Sequence, residues 1–281
     1  MTRRTFLPAA GASALALAGA GGAAPGPIRK GRLKQGVTRG VFGRGMTFDQ
    51  MCKMAVEIGV KGFDLIGPQD WPTLKQYGLL PTMATGSTSI AEGTNRLENH
   101  AKMVPLMREA IEKAASVNAP NVIALSGTRK GMPDEQGLDN SVKFFNQVKN
   151  VAEDKGVTIC LELLNSKVNH PDYMCDHTAW GVDVCKNVNS PRVKLLYDIY
   201  HMQIMEGDII RTIRQNIQYI GHFHTGGVPG RHELDGTQEL NWHAIAKSIA
   251  ALNYDGFVAH EFVPTRDPMA SLAQAYDEFR V

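Results

Sequence analysis

From residue 35 onward, short apolar runs alternate with longer stretches whose apolar residues recur every three or four positions. Gly36–Phe42 predicts a first strand. Thr47–Ile58 follows with Met51, Met54, Ala55 and Ile58 at helical spacing, Thr47 placed as N-cap and Gly59 as the stop. Gly62–Ile66 predicts a second strand, Trp71–Tyr77 a short helix and Leu80–Thr85 a third strand. A polar loop then runs to Asn95. Glu98–Val117 predicts a long helix, Asn121–Leu125 a fourth strand, and Leu138–Lys155 a helix stopped by Gly156. The second half continues with strands at Thr158–Leu163, Val193–Asp198, Tyr219–His224 and Gly256–Glu261. Helices follow them at Asp176–Val188, Asp208–Gln215, Trp242–Leu252 and Met269–Phe279.

Repeated strand–helix units imply a parallel sheet with right-handed crossovers, and eight of them imply closure into a single (β/α)8 TIM barrel. An open doubly wound sheet is the alternative. It would usually place a phosphate-binding GxGxxG loop after the first strand, and Gly40-Val41-Phe42-Gly43-Arg44-Gly45 does not fit that pattern.

The extreme N-terminus departs from this rhythm. Arg3-Arg4-Thr5-Phe6-Leu7 precedes an alanine-rich apolar run that reaches about Ala24, with small residues at Ala18-Gly19-Ala20 and Gly22-Ala23-Ala24. A charged start, a short apolar stretch and small residues predict a signal peptide over 1–24, and the paired arginines resemble a twin-arginine address. Residues 25–35 read as a linker and 36–281 as the barrel. The expected destination is the periplasm. After cleavage no segment is apolar enough to anchor the chain in a membrane.

Composition adds exclusions. Hydrophobic residues are 43% and charged residues 21% of the 281, ordinary values for a chain with a large core. Residues 1–24 carry Arg3 and Arg4 but no acid, so their removal takes the formal charge from +2 to zero. A duplex-binding protein normally carries a positive surplus, so nucleic acid is not an expected partner. Cys52, Cys160, Cys175 and Cys185 contain no CxxC pair and form no disulfide framework. They read as core cysteines, with one bridge left open by an oxidising compartment.

The chemistry concentrates at four strand ends: Glu162, Asp198, His224 and Glu261. In a barrel such ends converge on the face that carries the active site. Singly, each residue would read as a salt-bridge partner or helix cap. Together, three buried carboxylates repel one another and resist desolvation, and a divalent cation removes both problems. Three carboxylates and one imidazole suit Mn²⁺ or Mg²⁺, with Co²⁺ and Zn²⁺ as further candidates. His222 and Cys160 should share faces with His224 and Glu162, the histidine as support for a ligand and the cysteine as core filler. His170 is a candidate cover for the site, and Phe42 and Trp71 are candidate apolar walls or plain core.

Tyr197-Asp198-Ile199-Tyr200-His201-Met202-Gln203 resembles the YDIYHMQ signature of the hydroxypyruvate isomerase family. Val228-Pro229-Gly230-Arg231-His232-Glu233 is similar to that family's Asn-Pro-Gly-Arg-His-Glu, and Glu162-Leu163-Leu164-Asn165 to its Glu-Pro-Ile-Asn. The likeness is strongest from 157 to 262. The wider group is the xylose isomerase-like TIM barrels, with ketose 3-epimerases and endonuclease IV among them. The resemblance implies a metal held by Glu162, Asp198, His224 and Glu261, with Glu162 and Glu261 as the catalytic acid/base pair. One position departs: the isomerases carry Gln where this chain has His224, and the 3-epimerases carry His. Thr225-Gly226-Gly227 also lacks the acidic residue that often follows in the isomerases.

The chemistry implied is proton transfer between neighbouring carbons of a small hydroxy-carbonyl compound such as hydroxypyruvate or tartronate semialdehyde. An enediolate needs a Lewis acid for its charge and a carboxylate on each side for its protons. His201, in the loop after the sixth strand, is expected to hydrogen-bond a substrate oxygen, and Arg231 to grip a carboxylate or hydroxyls. Alternatives are a ketose 3-epimerase, an isomerase or lyase on an oxidised sugar, an endonuclease IV-like phosphodiesterase, and a non-catalytic periplasmic sugar binder. Homodimer is the default expectation for assembly.

Overall fold

Eight parallel strands pair in chain order, and β1 closes on β8, in a computed structural model that describes residues 31–281. The segment expected to be a signal peptide lies outside the described residues. The strands are β1 Lys34–Val37, β2 Gly62–Ile66, β3 Leu80–Ala84, β4 Asn121–Ala124, β5 Thr158–Glu162, β6 Val193–Asp198, β7 Ile220–Thr225 and β8 Phe257–His260. Around them lie α1 Phe48–Ile58, α2 Trp71–Gln76, α3 Leu97–Ser116, α4 Asp134–Lys155, α5 Thr178–Val188, α6 Ile199–Met205, α7 Ile209–Asn216, α8 Trp242–Ala251 and α9 Pro268–Glu278. Among the described residues no helix is long and apolar enough to cross a membrane.

Local chemistry accounts for the element ends. Thr47 and Gln50 form a reciprocal capping box at the start of α1, and Gly59 ends that helix in the left-handed region. Gly156 ends α4 in the same way. Gly62 has a second role: a Cβ there would lie 2.1 Å from the carbonyl oxygen of Leu80, so only glycine lets β2 and β3 approach.

Two elements differ in kind from the sequence expectation, and α4 begins four residues earlier than expected, at Asp134. The first strand begins two residues earlier, at Lys34, and ends at Val37, because Arg39–Phe42 turns into a 3-10 helix. The apolar Val41 and Phe42 that suggested a continuing strand are buried, with Phe42 stacked on Phe63 at 5.5 Å between ring centroids. The segment after β6 is the helix α6, not a loop. Ile199, Tyr200, His201, Met202 and Met205 are all buried, so it shows no broad polar face from which to read a helical period.

Inward-facing positions form layers. Met83, Ile123, Cys160 and Leu196 make a small apolar cluster separate from the main core. All four cysteines are free and buried, as core residues.

Candidate active site and metal centre

Register brings the ends of β5 to β8 to a common level. Asp198 is opposite His224, and Thr225 is opposite His260, the residue before Glu261. Asp198 also starts α6: its Oδ1 accepts from the backbone N–H of His201 at 3.2 Å. That cap turns the other oxygen, Oδ2, inward.

Glu162, Asp198, His224 and Glu261 each present one ligand atom, and these four atoms lie within 4.8 Å of one another. Nδ1 of His224 is the centre of the group. It lies 2.7 Å from Oε2 of Glu261, 3.3 Å from Oε1 of Glu162 and 3.9 Å from Oδ2 of Asp198. None of these contacts has hydrogen-bond geometry, so Nδ1 is buried without a partner. A buried nitrogen in that state is costly unless something else takes its lone pair. Three carboxylate oxygens and one imidazole nitrogen, converging on a space next to an orphaned atom, fit a divalent metal.

The charges crowd in the same way, and without a cation they draw His224 toward the protonated form, whose Nδ1 proton a metal would displace. Burial and the neighbouring Glu261 and Asp198 push the Glu162 carboxyl above its usual range, against the opposing pull of His224. Burial also opposes charge on Glu261, but His224 and Arg231 outweigh it and hold that carboxyl below its usual range. Burial works against a charged His224, yet Glu261, Asp64 and Glu162 together hold its pKa well above the ordinary imidazole value.

Arg231 reaches the same cluster. Its Nη2 lies 2.7 Å from both Asp198 Oδ2 and Glu261 Oε2, and its Nε donates to the Glu261 carbonyl at 2.9 Å. The guanidinium carbon sits 5.0 Å from the centre of the Tyr200 ring. The backbone of Arg231 is left-handed, with φ 59°, and is pinned by its N–H to Gly227 and by its carbonyl to Val263. An uncommon conformation held from both sides fixes where the side chain can reach.

His201 is oriented just as firmly. Its Nδ1 accepts from the backbone N–H of Asn165 at 3.1 Å and from the Asn165 side-chain amide at 2.6 Å. The ring proton is therefore on Nε2, which lies 2.8 Å from Arg231 Nη1 and 3.7 Å from Asp198 Oδ2. Burial, and Arg231 beside it, hold His201 neutral. Two donors face each other here, an arrangement that draws an oxygen lone pair between them. His170, the candidate cover, packs against His201 with ring centroids 5.3 Å apart.

A cavity of about 350 Å³ opens onto Arg231 and Glu261, walled by Thr38, Arg39, Gly40, Asp64, Leu65, Phe262 and Val263. Phe42 and Trp71, the expected apolar walls, do not line it. Phe42 is core, and Trp71 donates to the Ile66 carbonyl and borders a different cavity, between the start of β3 and the end of α3.

The sequence reading missed Asp64. It lies on β2, where shifts in the pairing register with β3 and a left-handed Leu65 mark a bulge that re-aims the side chain inward. Its Oδ2 is 2.9 Å from Nε2 of His224 and 2.6 Å from Nε2 of His222. The available signal was one carboxylate inside an otherwise apolar strand, a place where charge must be paired.

The family model described as xylose isomerase-like TIM barrel matches residues 54–279. A 2-oxo-tetronate isomerase of Cupriavidus necator is 36% identical over 123 residues, 44% of this chain and 46% of that protein. A putative hydroxypyruvate isomerase of Danio rerio is 31% identical over 134 residues, 48% of this chain and 49% of the relative. A D-psicose 3-epimerase of Ruminiclostridium cellulolyticum is 36% identical over 129 residues, 46% of this chain and 42% of the relative. Each match thus takes in less than half of the relative's length. The closed eight-stranded barrel and the match over most of its length agree: the chain belongs to the xylose isomerase-like TIM barrel family.

Proposed function

We propose that the protein is a divalent-metal-dependent isomerase of small hydroxy-carbonyl compounds, working by proton transfer between Glu162 and Glu261. The observation that carries the proposal is the four-atom donor cluster with its orphaned Nδ1 on His224. Glu162, Asp198, His224 and Glu261 would hold the metal, Mn²⁺ or Mg²⁺ by their donor chemistry, with Co²⁺ and Zn²⁺ as alternatives. When bound, it supplies Lewis-acid stabilisation of negative charge on substrate oxygens.

The chain's own residues do the rest. Glu162 and Glu261 come from strands separated by β6 and β7, so a substrate between them meets one carboxylate on each side. One carboxylate removes a proton from carbon and the other carboxyl returns one to the neighbouring carbon, while the hydroxyl proton passes to the former carbonyl oxygen. His201 Nε2–H and Nη1 of Arg231 offer donors to a substrate oxygen, while Nε and Nη2 of Arg231 are engaged by Asp198 and Glu261. A cavity of about 350 Å³ suits a substrate of a few carbons. The relatives named as 2-oxo-tetronate and hydroxypyruvate isomerases support this class.

A second substrate class is favoured by His224 itself, the ligand type of the ketose 3-epimerases, and by the match to a D-psicose 3-epimerase. Gly226 and Gly227 do not open room for it, because a Cβ on Gly226 would meet Arg231 at 2.9 Å and one on Gly227 the Glu233 carbonyl at 2.3 Å. Proton removal next to a carbonyl is shared: an isomerase returns the proton to the neighbouring carbon, and an epimerase returns it to the same carbon from the opposite face. Metal-dependent turnover of hydroxypyruvate, tartronate semialdehyde and 2-oxo-tetronates, measured against ketohexoses, tests the assignment. Turnover confined to ketohexoses would replace isomerase by epimerase. No turnover of either class would remove both.

Export belongs to the same proposal and is carried by Arg3, Arg4, Phe6 and Leu7. Lys at both arginine positions should abolish appearance of the protein in the periplasm. Unchanged export would contradict it.

A further inference from the structure

We propose that Asp64 is a positioning residue that fixes His224 for the metal, by holding the proton on Nε2 and leaving Nδ1 as the nitrogen that binds. The inference rests on the metal centre proposed above and concerns a residue outside its ligand set.

Asp64 is fully buried, and the groups around its carboxylate are donors. Oδ1 accepts from the Thr82 hydroxyl. Oδ2 lies 2.6 Å from Nε2 of His222 and 2.9 Å from Nε2 of His224. The protonation of His222 follows from its other edge. Asn121 Nδ2 donates to the Thr82 carbonyl at 2.9 Å, which settles the orientation of that amide, and the same nitrogen lies 3.3 Å from His222 Nδ1. An amide nitrogen only donates, so Nδ1 of His222 accepts and Nε2 carries the proton toward Asp64. A hydroxyl from β3 and two imidazole edges from β7 thus face one carboxylate on β2; the His224 contact has hydrogen-bond geometry, and the closer His222 nitrogen lies off line.

His224 is the link between this layer and the one above it. Nε2 faces Asp64, while Nδ1, on the same side of the ring as Glu162, Asp198 and Glu261, has no hydrogen-bond partner. A carboxylate on the far nitrogen of a ligating histidine fixes its tautomer and ring orientation and raises its basicity. The bulge at Asp64–Leu65 supplies the required aim. Asp64, His222 and His224 are also close enough to hold an ion by themselves. However, the 2.9 Å contact from His224 has hydrogen-bond geometry, and the proton that Asn121 forces onto Nε2 of His222 leaves that nitrogen no lone pair for an ion.

The test uses the full chain, stripped of metal and titrated with Co²⁺, for the native protein, Asp64→Asn and Asp64→Ala. Thermal melts of the metal-free proteins check folding. The native protein should bind one Co²⁺ per chain. Asp64→Ala should lose about ten- to a hundredfold in affinity, with Asn, which keeps an acceptor oxygen, between the two. A second measurement does not depend on the variants. In Zn²⁺-loaded protein labelled with ¹⁵N-histidine, two-bond correlations should place the metal on Nδ1 of His224 and the proton on Nε2. Metal on Nε2, or equal affinities and spectra in all three proteins, overturns the role of Asp64 while leaving the metal centre standing. Two Co²⁺ per chain, one lost in Asp64→Ala, would instead make Asp64 a ligand. No binding by the native protein removes the metal centre, and this inference with it.

Discussion

Nη2 of Arg231 lies 2.7 Å from Oδ2 of Asp198, so a fixed positive charge sits against one of the proposed metal ligands. The same nitrogen is 2.7 Å from Glu261. Removing it should have opposite effects on two quantities. Arg231→Ala loses charge-assisted hydrogen bonds worth about 1.5–3 kcal/mol, so kcat/KM should fall about ten- to a hundredfold. The carboxylate cluster becomes more negative, so metal affinity should hold or rise. Calorimetric metal titration beside steady-state kinetics checks both, and a parallel loss of metal binding would show that Arg231 builds the cluster rather than serves substrate.

Glu162→Gln and Glu261→Gln each remove a carboxylate that can carry a proton at nearly constant shape. General acid–base groups contribute about 10²- to 10⁴-fold, so kcat should drop by that order in each variant. Substrate binding to metal-loaded protein should survive to a larger degree. Single-turnover kinetics and equilibrium binding separate the two. A variant that keeps most of its kcat would exclude that residue from the proton path.

Glu233 ties the Arg231 loop to the start of α9. Its carboxylate accepts from the Thr265 N–H at 2.8 Å, the Thr265 hydroxyl at 2.9 Å and the Ser271 hydroxyl at 2.9 Å. Burial opposes its charge, but these donors outweigh burial and lower the pKa from 4.5 to about 2. A depressed carboxyl contributes stability that is complete above pH 4.5 and is lost as pH falls through 2. The difference corresponds to about 3 kcal/mol. Glu233→Gln should be less stable at pH 7 by about 1–3 kcal/mol and should lose this part of the acid dependence. Urea unfolding at pH 7 and pH 3 measures both, and parallel curves for the two proteins would contradict it.

Gly62→Ala would place a methyl group 2.1 Å from the Leu80 carbonyl oxygen, a backbone atom with little freedom to yield. The expected cost is about 1–3 kcal/mol from overpacking. Asp64, two residues on, should be displaced with it. Denaturant midpoints report the first effect and Co²⁺ affinity the second. A neutral substitution would show that β2 and β3 separate easily.

Most of the barrel is legible in the chain because its strands are apolar runs cut off by turns and helix stops. β2 and β6 coincide with the patterned segments Gly62–Ile66 and Val193–Asp198. The four strand-end ligands are legible for a related reason: each is a charged or imidazole group ending an apolar run. What escaped is what depends on distant partners or lacks a period. α6 buries five of its seven residues, so no broad polar face announces it. The end of β1 depends on a 3-10 turn beneath Phe42 rather than on hydrophobicity. Asp64 meets His224 across 160 residues, and only closure of the barrel brings them together.

Metal-dependent proton transfer at a carbon next to a carbonyl is the chemistry proposed for Glu162 and Glu261. The direct test loads residues 25–281 with Mn²⁺ in deuterated water and follows deuterium into hydroxypyruvate, tartronate semialdehyde, a 2-oxo-tetronate and a panel of ketoses. Proton transfer between the two glutamates predicts exchange at such a carbon that requires metal and disappears in Glu162→Gln and Glu261→Gln. A protein that binds one metal tightly yet exchanges no carbon-bound hydrogen on any of these compounds, or that exchanges equally without its two glutamates, would contradict it.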